Sequence, residues 1–409
     1  MPKIKLLAIP SDKYAVGKYR ILEPYLYIGE YHSDDIHVDV AYDVPDEDSF
    51  FNGYDVVVFH SHIHRKSHED NIKRIEWLKL QGIKVIMDID DYWNVGPNHM
   101  LYHSYKKSEH PRRRVELLKI SDYITTTTNF LQNTIRKHIN KDNVFVFPNA
   151  IDETEKQFIP NPIKSEKTRF GWVGGSTHLS DISLIQSGFS QIGNQYKDKV
   201  QFTLCGFDTR GEVTEIVKET GEVRKRPVRN DENPWIKCEQ IFTNNYKLVS
   251  NEYKTHLIKY KNEPYVKNEN EIYNRNWTLP INEYGTNYNH LDVVLVPLVD
   301  YDFNHNKSQL KIIEAGFHKK PVIVSECLPY TIDLISSFDQ GVYNEKGNAL
   351  LVSPRKNHKQ WTQHMKKIIE NPNLIEDLGN KLYETVKDKY SLKKVSKDRV
   401  EFIKTIINN

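Results

Sequence analysis

The most informative stretch of this chain reads Asn306-Lys-Ser-Gln-Leu-Lys-Ile-Ile-Glu-Ala-Gly316, and Lys320-Pro-Val-Ile-Val-Ser-Glu326 follows it closely. The first part predicts a loop and a helix start, which Asn306 or Ser308 could cap. The second part is rich in β-branched residues and predicts a short buried strand. A helix that feeds directly into a buried strand is typical of a parallel sheet covered by helices.

Two lysines and a glutamate give this helix start a chemical interpretation. Free backbone N–H groups, together with Lys307 and Lys311, would attract the phosphates of an anionic ligand. Glu314 lies three residues after Lys311 on the same helix face, where it could accept hydrogen bonds from ribose hydroxyls. The alternative is an ordinary capped surface helix with one ion pair.

A glycine pair forms the second candidate ligand site. Phe170-Gly-Trp-Val173 predicts a strand that runs into Gly174-Gly175, and a helix should begin near Ser176 or Ser180. Paired glycines after a strand let the backbone approach a phosphate closely. Most Gly-Gly turns are only turns, so the position of this pair after the first strand of a second α/β series gives it its weight.

The strand–helix rhythm runs through the chain in two series. Apolar runs of strand length alternate with helical patterns over residues 4–147 and again over 170–324. A polar, proline-containing stretch at 153–168 predicts a linker between them. The fold class predicted is therefore α/β, with two doubly wound sheets whose ligands bind at the carboxyl ends of the strands.

The length of 409 residues also favours two domains. We place the N-terminal domain at residues 1–160 and the C-terminal domain at 167–389. Residues 209–285 are rich in Lys, Asn, Glu and Tyr and interrupt the rhythm, which predicts an insertion in the second domain. The simplest interpretation of this stretch is a solvated surface insert.

Composition narrows the classes of protein. Hydrophobic residues make up 38% and charged residues 27%, a globular balance, and the net charge of +2 requires neither nucleic acid nor membrane as a partner. Cys205, Cys238 and Cys327 have neither zinc nor disulfide spacing and are expected to be reduced, which suggests a cytoplasmic protein. No apolar run is long enough for a signal peptide or a membrane span.

Three histidines follow a predicted buried strand in the first half of the chain. His60, His62 and His64 alternate, so in an extended chain they would point to one side. Alternation suggests a metal site, but neighbouring strand positions rarely give tetrahedral geometry unaided. We therefore expect no metal, with His60 or His62 lining the cleft between the domains.

These motifs resemble the retaining GT-B glycosyltransferases of the "glycosyl transferases group 1" family. The resemblance runs from Gly174 to the C-terminus and is strongest over residues 306–325 and 347–354. In the first half, residues 144–152 look like the strand and turn that end the family's N-terminal domain. Gly17 falls where the family has a glycine loop after its first strand.

The resemblance implies two facing Rossmann-like domains with an interdomain cleft, and a last helix, at about 390–409, that crosses back onto the N-terminal domain. The donor would bind mainly to the C-terminal domain and the acceptor to the N-terminal one. The reaction would transfer a sugar, with retention, from a nucleotide-diphosphate sugar such as a UDP- or GDP-sugar to a carbohydrate or other hydroxyl acceptor. No metal or tightly bound cofactor is implied.

The resemblance also assigns roles to individual residues. Glu314 matches a glutamate that contacts the donor ribose, whereas Asn306 stands where the family often has a second glutamate and cannot carry its charge. Lys307 and Lys311 match the cations that stabilise the leaving diphosphate. The expected catalytic residues are Lys311, Lys307, Asn306 and His60, and the expected donor-binding residues are Gly174, Gly175, Ser176, Ser308, Glu314 and Gly17.

The acceptor side is predicted from the first half. Asp88-Ile-Asp90 resembles the Asp-x-Asp loop that binds metal in the other major glycosyltransferase fold, but it follows a strand of an apparent GT-B first domain. We therefore interpret these carboxylates as acceptor-side or structural rather than metal-binding. The acceptor-side candidates are Asp90, Asp91, His62 and Trp93.

Two other functions remain open at this point. Arg224-Lys-Arg226 and Arg229, with nearby tyrosines, could contact a nucleic-acid backbone, which would suit a DNA-base glycosyltransferase. The amide at Asn306 leaves room for a non-catalytic nucleotide-sugar binding protein on the same fold. A carbohydrate acceptor ranks above DNA because the whole-chain charge is nearly neutral.

Overall fold

The computed structural model of the protein describes residues 3–64, 66–97, 99, 101–208, 210–216, 223–229, 231–243, 272–339, 341–355 and 357–408. Parts of the predicted insertion therefore lie outside the described residues, namely 209, 217–222, 230 and 244–271. Within the described part, no helix combines the length and the apolar character that a membrane span requires.

The first domain is built on a six-stranded parallel sheet with strand order β2-β1-β3-β4-β5-β6. Its strands are short and mostly buried on both faces, as parallel strands covered by helices must be. The order changes direction between β1 and β3, which makes this the point where a ligand crevice is expected. The strands are β1 (Ile4–Ile9), β2 (Ile36–Val40), β3 (Val56–His60), β4 (Lys84–Asp88), β5 (Tyr123–Thr126) and β6 (Val144–Val146).

Helices cover both faces of this sheet. Side chains cap two of them: Ser67 Oγ accepts from the Asp70 N–H at 3.1 Å, and Thr128 Oγ1 accepts from the Leu131 N–H at 3.3 Å. A five-residue π-helical turn, Lys18–Leu22, leads into the first helix. The helices are α1 (Glu23–Tyr31), α2 (His68–Leu80), α3 (Tyr102–Lys107), α4 (His110–Ile120) and α5 (Asn129–Ile139).

The second domain contains another six-stranded parallel sheet, in the order β11-β8-β7-β12-β13-β16. Numbered along this sheet alone, the order is 3-2-1-4-5-6, the arrangement of dinucleotide-binding domains, with its change of direction between β7 and β12. The strands are β7 (Thr168–Val173), β8 (Val200–Phe207), β11 (Tyr273–Trp277), β12 (Val293–Val296), β13 (Val322–Ser325) and β16 (Leu350–Val352). Two small antiparallel pairs are β9 (Glu212–Ile216) with β10 (Val223–Pro227), and β14 (Phe338–Asp339) with β15 (Val342–Tyr343).

The helices of the second half include elements of the stretch predicted as an insertion. In that stretch, β9 and β10 form a separate hairpin, but β11 pairs in parallel with β8 and so completes the main sheet. This part of residues 209–285 therefore belongs to the sheet rather than to a surface insert. After a one-turn helix at Leu179–Ile182, the helices are α6 (Gln186–Tyr196), α7 (Pro234–Thr243), α8 (Asp302–His305), α9 (Leu310–Phe317), α10 (Asn357–Glu370), α11 (Asn373–Val386) and α12 (Leu392–Asn408).

The last helix, α12, packs on the first domain. Its apolar side chains, including Val395, Val400 and Ile403, share one core cluster with residues of β1 and α1. The crossing point lies beside the interdomain connection, since the Ile151 N–H donates to Tyr390 O at 2.9 Å and the Leu392 N–H donates to Ile151 O at 2.8 Å. The chain thus passes between the domains at two adjacent points.

Candidate active site

A cavity of about 540 Å³ lies in the cleft, at the carboxyl ends of strands from both sheets. This is where doubly wound sheets bind their ligands. From the first domain it is lined by Tyr14, Ala15, Val16, Tyr19, Arg20, Asp90, Asp91 and Asn149. From the second it is lined by Gly174, Gly175, Ser176, His178, Gly206, Asp208, Trp235, Thr278, Leu279, Ile281, Tyr284, Lys307, Ser308, Leu310, Lys311, Glu314 and Tyr330.

The two lysines of the predicted phosphate site both reach this cavity. Lys311 Nζ donates to Val173 O at 2.9 Å and lies 5.1 Å from the centroid of the Trp172 ring. Burial lowers the pKa of Lys311 to about 8, although the nearby Glu314 opposes this shift. Lys307 Nζ lies over the Phe303 ring and forms no ion pair within the described part of the chain. The cavity therefore holds two ammonium groups that an anionic ligand can contact, and Lys307 also acts on the charge of Asp91.

The helix behind these lysines begins later than the sequence suggests. α9 starts at Leu310 and has no side-chain cap, because residues 306–309 form a loop after the short helix α8. Asn306 ends α8, and its Nδ2 donates to Asp302 O at 2.7 Å. The side chain is buried, outside the cavity lining, and its Oδ1 has no partner among the described residues. The geometry therefore offers no direct support for a catalytic Asn306.

The glycine pair lies beside the ammonium group of Lys311 in the cavity lining. A Cβ on Gly174 would overlap the buried Trp172 ring and lie 2.6 Å from Lys311 Nζ. A Cβ on Gly175 would meet nothing within 4 Å. Gly174 is thus required for the lysine to approach the end of β7, whereas Gly175 and Ser176 leave the cavity open on that side.

This difference predicts the effect of two matched substitutions on stability. We expect Gly174→Ala to destabilise the protein by about 1–3 kcal/mol, because the Trp172 ring is packed in the core and cannot move freely. Gly175→Ala should change the free energy of unfolding by less than about 0.5 kcal/mol. Urea denaturation of both variants measures the difference, and equal stability of the two would contradict the close packing described.

Glu314 connects the two domains. Its Oε1 accepts from the Tyr19 hydroxyl at 2.9 Å and its Oε2 accepts from the Tyr288 hydroxyl at 2.8 Å. Burial raises the pKa of Glu314, with Lys311 and the two tyrosine hydroxyls opposing the shift. Tyr19 comes from the π-helical turn of the first domain, so a ligand ribose that uses Glu314 would have to share or replace that hydroxyl.

On the first domain, two of the predicted carboxylates line the cavity. Asp90 Oδ1 lies 3.0 Å from His60 Nε2, and His60 Nδ1 lies 2.9 Å from Ser11 Oγ. Desolvation within the cleft and the negative charge of Asp90 raise the pKa of Asp91 to about 6. His60 itself is buried behind Asp90 and does not line the cavity. It can orient Asp90, whereas Asp91 is an accessible carboxylate that can exchange a proton near neutral pH.

The remaining first-domain candidates lie elsewhere. Ser61 has a left-handed backbone (φ 73°), which breaks the extended alternation expected for the three histidines. His62 lines a separate pocket, and His64 is buried, with Nδ1 3.2 Å from Val44 O. Trp93 is buried in the first-domain core, 5.3 Å from the His138 ring, and does not line the cavity.

Gly17 has a structural reason to be glycine. Its N–H donates to Asp12 Oδ1 at 3.2 Å, and a Cβ at this position would overlap the carbonyl oxygen of Asp12. Gly17 therefore closes the loop after β1 that holds Ala15 and Val16 at the cavity. The residue does not line the cavity itself.

Two polar residues that the sequence analysis did not single out join the domains across the cavity. Arg20 Nη1 donates to Asn149 Oδ1 at 3.1 Å, and Asn149 Nδ2 donates to Ser308 Oγ at 3.0 Å. Arg20 lies three residues after Gly17, and Asn149 lies within residues 144–152, so each is close to a position that the resemblance to the family marks. His178, where burial lowers the pKa to about 4, was also missed.

Within the described residues, no group of His, Cys, Asp and Glu side chains is arranged to hold a metal ion. The three cysteines are buried and form no disulfide.

Comparison with known proteins identifies the fold. No family model and no curated protein matches the chain. HepE from Anabaena, in complex with UDP and glucose, aligns with 98% of this chain and 100% of its own length at a TM-score of 0.60 and 11% identity. The catalytic domain of starch synthase IV from Arabidopsis thaliana, bound to ADP and acarbose, aligns with 100% of this chain and 99% of its own length (TM-score 0.58, 8% identity).

A third similar structure, TarM, is longer. It aligns with 87% of this chain at a TM-score of 0.52 and 14% identity, and the chain spans 55% of TarM. At such low identities the likeness shows the fold alone. The chain has the GT-B fold, with two Rossmann-like domains, as the sequence predicts.

Proposed function

We propose that this protein is a glycosyltransferase that moves a sugar from a nucleotide-diphosphate sugar to a hydroxyl acceptor. One observation carries the proposal. Lys307, Ser308 and Lys311 converge with the Gly174 turn, which is far from them in the sequence, on one cavity that also contains carboxylates of the opposite domain. A GT-B fold with UDP, UDP-glucose or ADP bound in its structural relatives adds support.

The two lysines of the cavity are suited to stabilise a diphosphate leaving group. Breaking the bond between the anomeric carbon and the diphosphate leaves negative charge on the phosphate oxygens. Lys311, held at the end of β7, and Lys307 would meet that charge without rearrangement. The wall formed by Gly206, Trp235 and Tyr284 offers apolar and aromatic surface for a nucleoside.

The stereochemical course is a finer part of the proposal. The resemblance to the group 1 family favours retention, but Asp91 is an accessible carboxylate with a pKa raised to about 6, which is suited to act as a general base in an inverting reaction. The two outcomes differ in the anomeric configuration of the product. Proton NMR of the first-formed product, with its anomeric coupling constant, decides between them.

A nucleic-acid acceptor receives less support. Two arginines of the basic segment are already paired, because Glu232 accepts from Arg226 Nη1 at 2.7 Å and from Arg229 Nη2 at 2.5 Å. Paired cations gain less from a phosphate backbone than free ones. A saccharide or polyol acceptor is therefore the better proposal.

A ligand screen tests the proposal. We expect at least one of the UDP-, GDP- and ADP-sugars to raise the melting temperature, because a ligand that binds only the folded state adds about 2.7 kcal/mol at 100 times its Kd. The same donor should be slowly hydrolysed to the free nucleotide diphosphate. Binding without hydrolysis or transfer would favour the non-catalytic alternative, and no binding by any donor would contradict both.

A further inference from the structure

A second pocket lies on the first domain, and we call it the basic pocket. It has a volume of about 460 Å³ and is lined by Lys66, Arg113 and Arg114, by Ser11 and Ser61, and by four histidines. Among the described residues, no aspartate or glutamate lines it. A concave surface with three permanent cations and no lining carboxylate favours an anionic ligand.

Arg113 lies near enough to Glu69 and Glu109 to lower the pKa of both carboxyl groups, but neither accepts a hydrogen bond from it. Its guanidinium forms no hydrogen bond with any residue of the described ranges, and its Nε is buried. The preceding residue, Arg112, is paired instead with Glu109 at 2.8 Å and Glu116 at 2.6 Å. Buried donors are nearly always satisfied in folded proteins, so the Arg113 side chain indicates a missing hydrogen-bond acceptor.

The neighbouring arginine is fixed in place. Arg114 Nη1 donates to Ser61 O at 3.1 Å, and Arg114 Nη2 donates to Ser61 Oγ at 2.9 Å. Burial lowers the pKa of His64 and lowers that of His110 to about 4, so these two histidines add little positive charge. The positive charge of the pocket therefore comes from the arginines and from Lys66, which also contacts Asp46.

The basic pocket and the cleft share a wall. Ser11, which lines the basic pocket, is hydrogen-bonded to His60 Nδ1, and His60 Nε2 is hydrogen-bonded to Asp90, which lines the cleft. These three side chains, Ser11, His60 and Asp90, connect the linings of the two cavities. A ligand held in the basic pocket would thus lie beside the acceptor side of the cleft.

We propose that the basic pocket binds a phosphate group of the acceptor, so that the acceptor is a phosphate-bearing sugar or polyol. This inference rests on the proposed function. Arginine guanidinium groups match phosphate oxygens with paired, charge-assisted hydrogen bonds, which recognise phosphate better than a neutral hydroxyl. The phosphate belongs either to a small acceptor or to a phosphodiester polymer, and both present the same chemistry to the pocket.

Binding of inorganic phosphate and of glycerol phosphate, measured by calorimetry, tests the pocket without catalysis. Arg113→Gln should weaken binding of both about tenfold or more, because a charge-assisted hydrogen bond to a buried group is lost. Arg112→Gln is the matched control, since it removes an adjacent exposed arginine, and should bind as the wild type does. If both variants lose phosphate affinity equally, the loss reflects the general charge of the surface. That result would overturn the proposal.

A transfer assay links the pocket to the reaction and identifies the source of the phosphate. With the donor found by the ligand screen, Arg113→Gln should lower kcat/KM for a phosphate-bearing acceptor relative to a neutral polyol about tenfold. Glycerol phosphate and a poly(glycerol phosphate) chain distinguish the small acceptor from the polymer. If the protein hydrolyses a donor but does not bind phosphate, the assignment of the basic pocket is wrong and the proposed function stands. If it binds phosphate but no donor, the proposed function is wrong.

Discussion

Replacing Lys311 by alanine should reduce turnover about 100-fold or more while leaving the fold intact, because a preorganised donor to the leaving diphosphate is lost. The ammonium group is held at the cavity by Val173 O at 2.9 Å and by the Trp172 ring. Since that charge meets the diphosphate mainly as the bond breaks, kcat should fall more than donor affinity. Lys366→Ala, on an exposed face of α10, is the control and should retain normal turnover.

The pH dependence gives a second readout for the same residue. The pKa of Lys311 is lowered to about 8 by burial, so kcat/KM should fall as the pH rises through that value and the free enzyme loses the charge. In the unfolded chain this lysine has its usual pKa of 10.5, so between pH 8 and 10.5 the unfolded chain binds more protons than the folded protein. Below pH 8 the buried, charged lysine therefore lowers the free energy of unfolding. Lys311→Met should therefore match or exceed the wild-type melting temperature despite its low activity. A variant with near-normal turnover would contradict the assigned role.

The sequence predicts the fold well because its strands carry local signals. The β-branched runs of β3 and β13 and the glycine pair after β7 each depend on a few adjacent residues, and the GT-B architecture follows from their order. The convergence of Lys307, Lys311 and the Gly174 turn was also predictable, because carboxyl ends of parallel strands meet at one edge of a sheet. Roles at the site depend on this convergence and stay predictions until activity is measured.

Other features were hidden because they depend on contacts between distant residues. The strand β11 reads Tyr273-Asn-Arg-Asn-Trp277 and looks exposed, yet Arg275 is buried and paired with Glu239 of α7. Hydropathy cannot identify a strand whose polar side chains are satisfied in the interior. Trp93 was predicted on the acceptor side, but it packs in the first-domain core, because an aromatic residue that follows carboxylates in the sequence fits a core equally well.

The second large effect is expected at Arg20, a buried residue whose side chain lines the cavity. Arg20 Nε and Nη2 donate to Asp88 Oδ1 and Oδ2 at 2.9 and 2.8 Å, and both side chains are almost fully buried. Thr125 Oγ1 donates to the same carboxylate at 2.6 Å. Arg20→Met should destabilise the protein by about 3–5 kcal/mol at neutral pH, because an uncompensated carboxylate remains in the interior. Urea denaturation measures this loss.

The response to pH and to a second substitution separates the buried charge from lost packing. Burial raises the pKa of Asp88, but Arg20, with smaller contributions from Arg399 and His60, brings it below the usual value. The charged carboxylate therefore stabilises the folded wild type above the unfolded pKa of Asp, and this contribution is lost as the pH falls. Without Arg20 the carboxyl group can protonate, so the difference in stability between the variant and the wild type should become smaller in acid.

Arg20→Met combined with Asp88→Asn should recover much of the lost stability at neutral pH. Arg112→Met, at an exposed ion pair, should cost less than about 1 kcal/mol. If the double variant is no more stable than Arg20→Met alone, the stability is lost through the packing of the Arg20 side chain. The unpaired charge of Asp88 would then not be the cause.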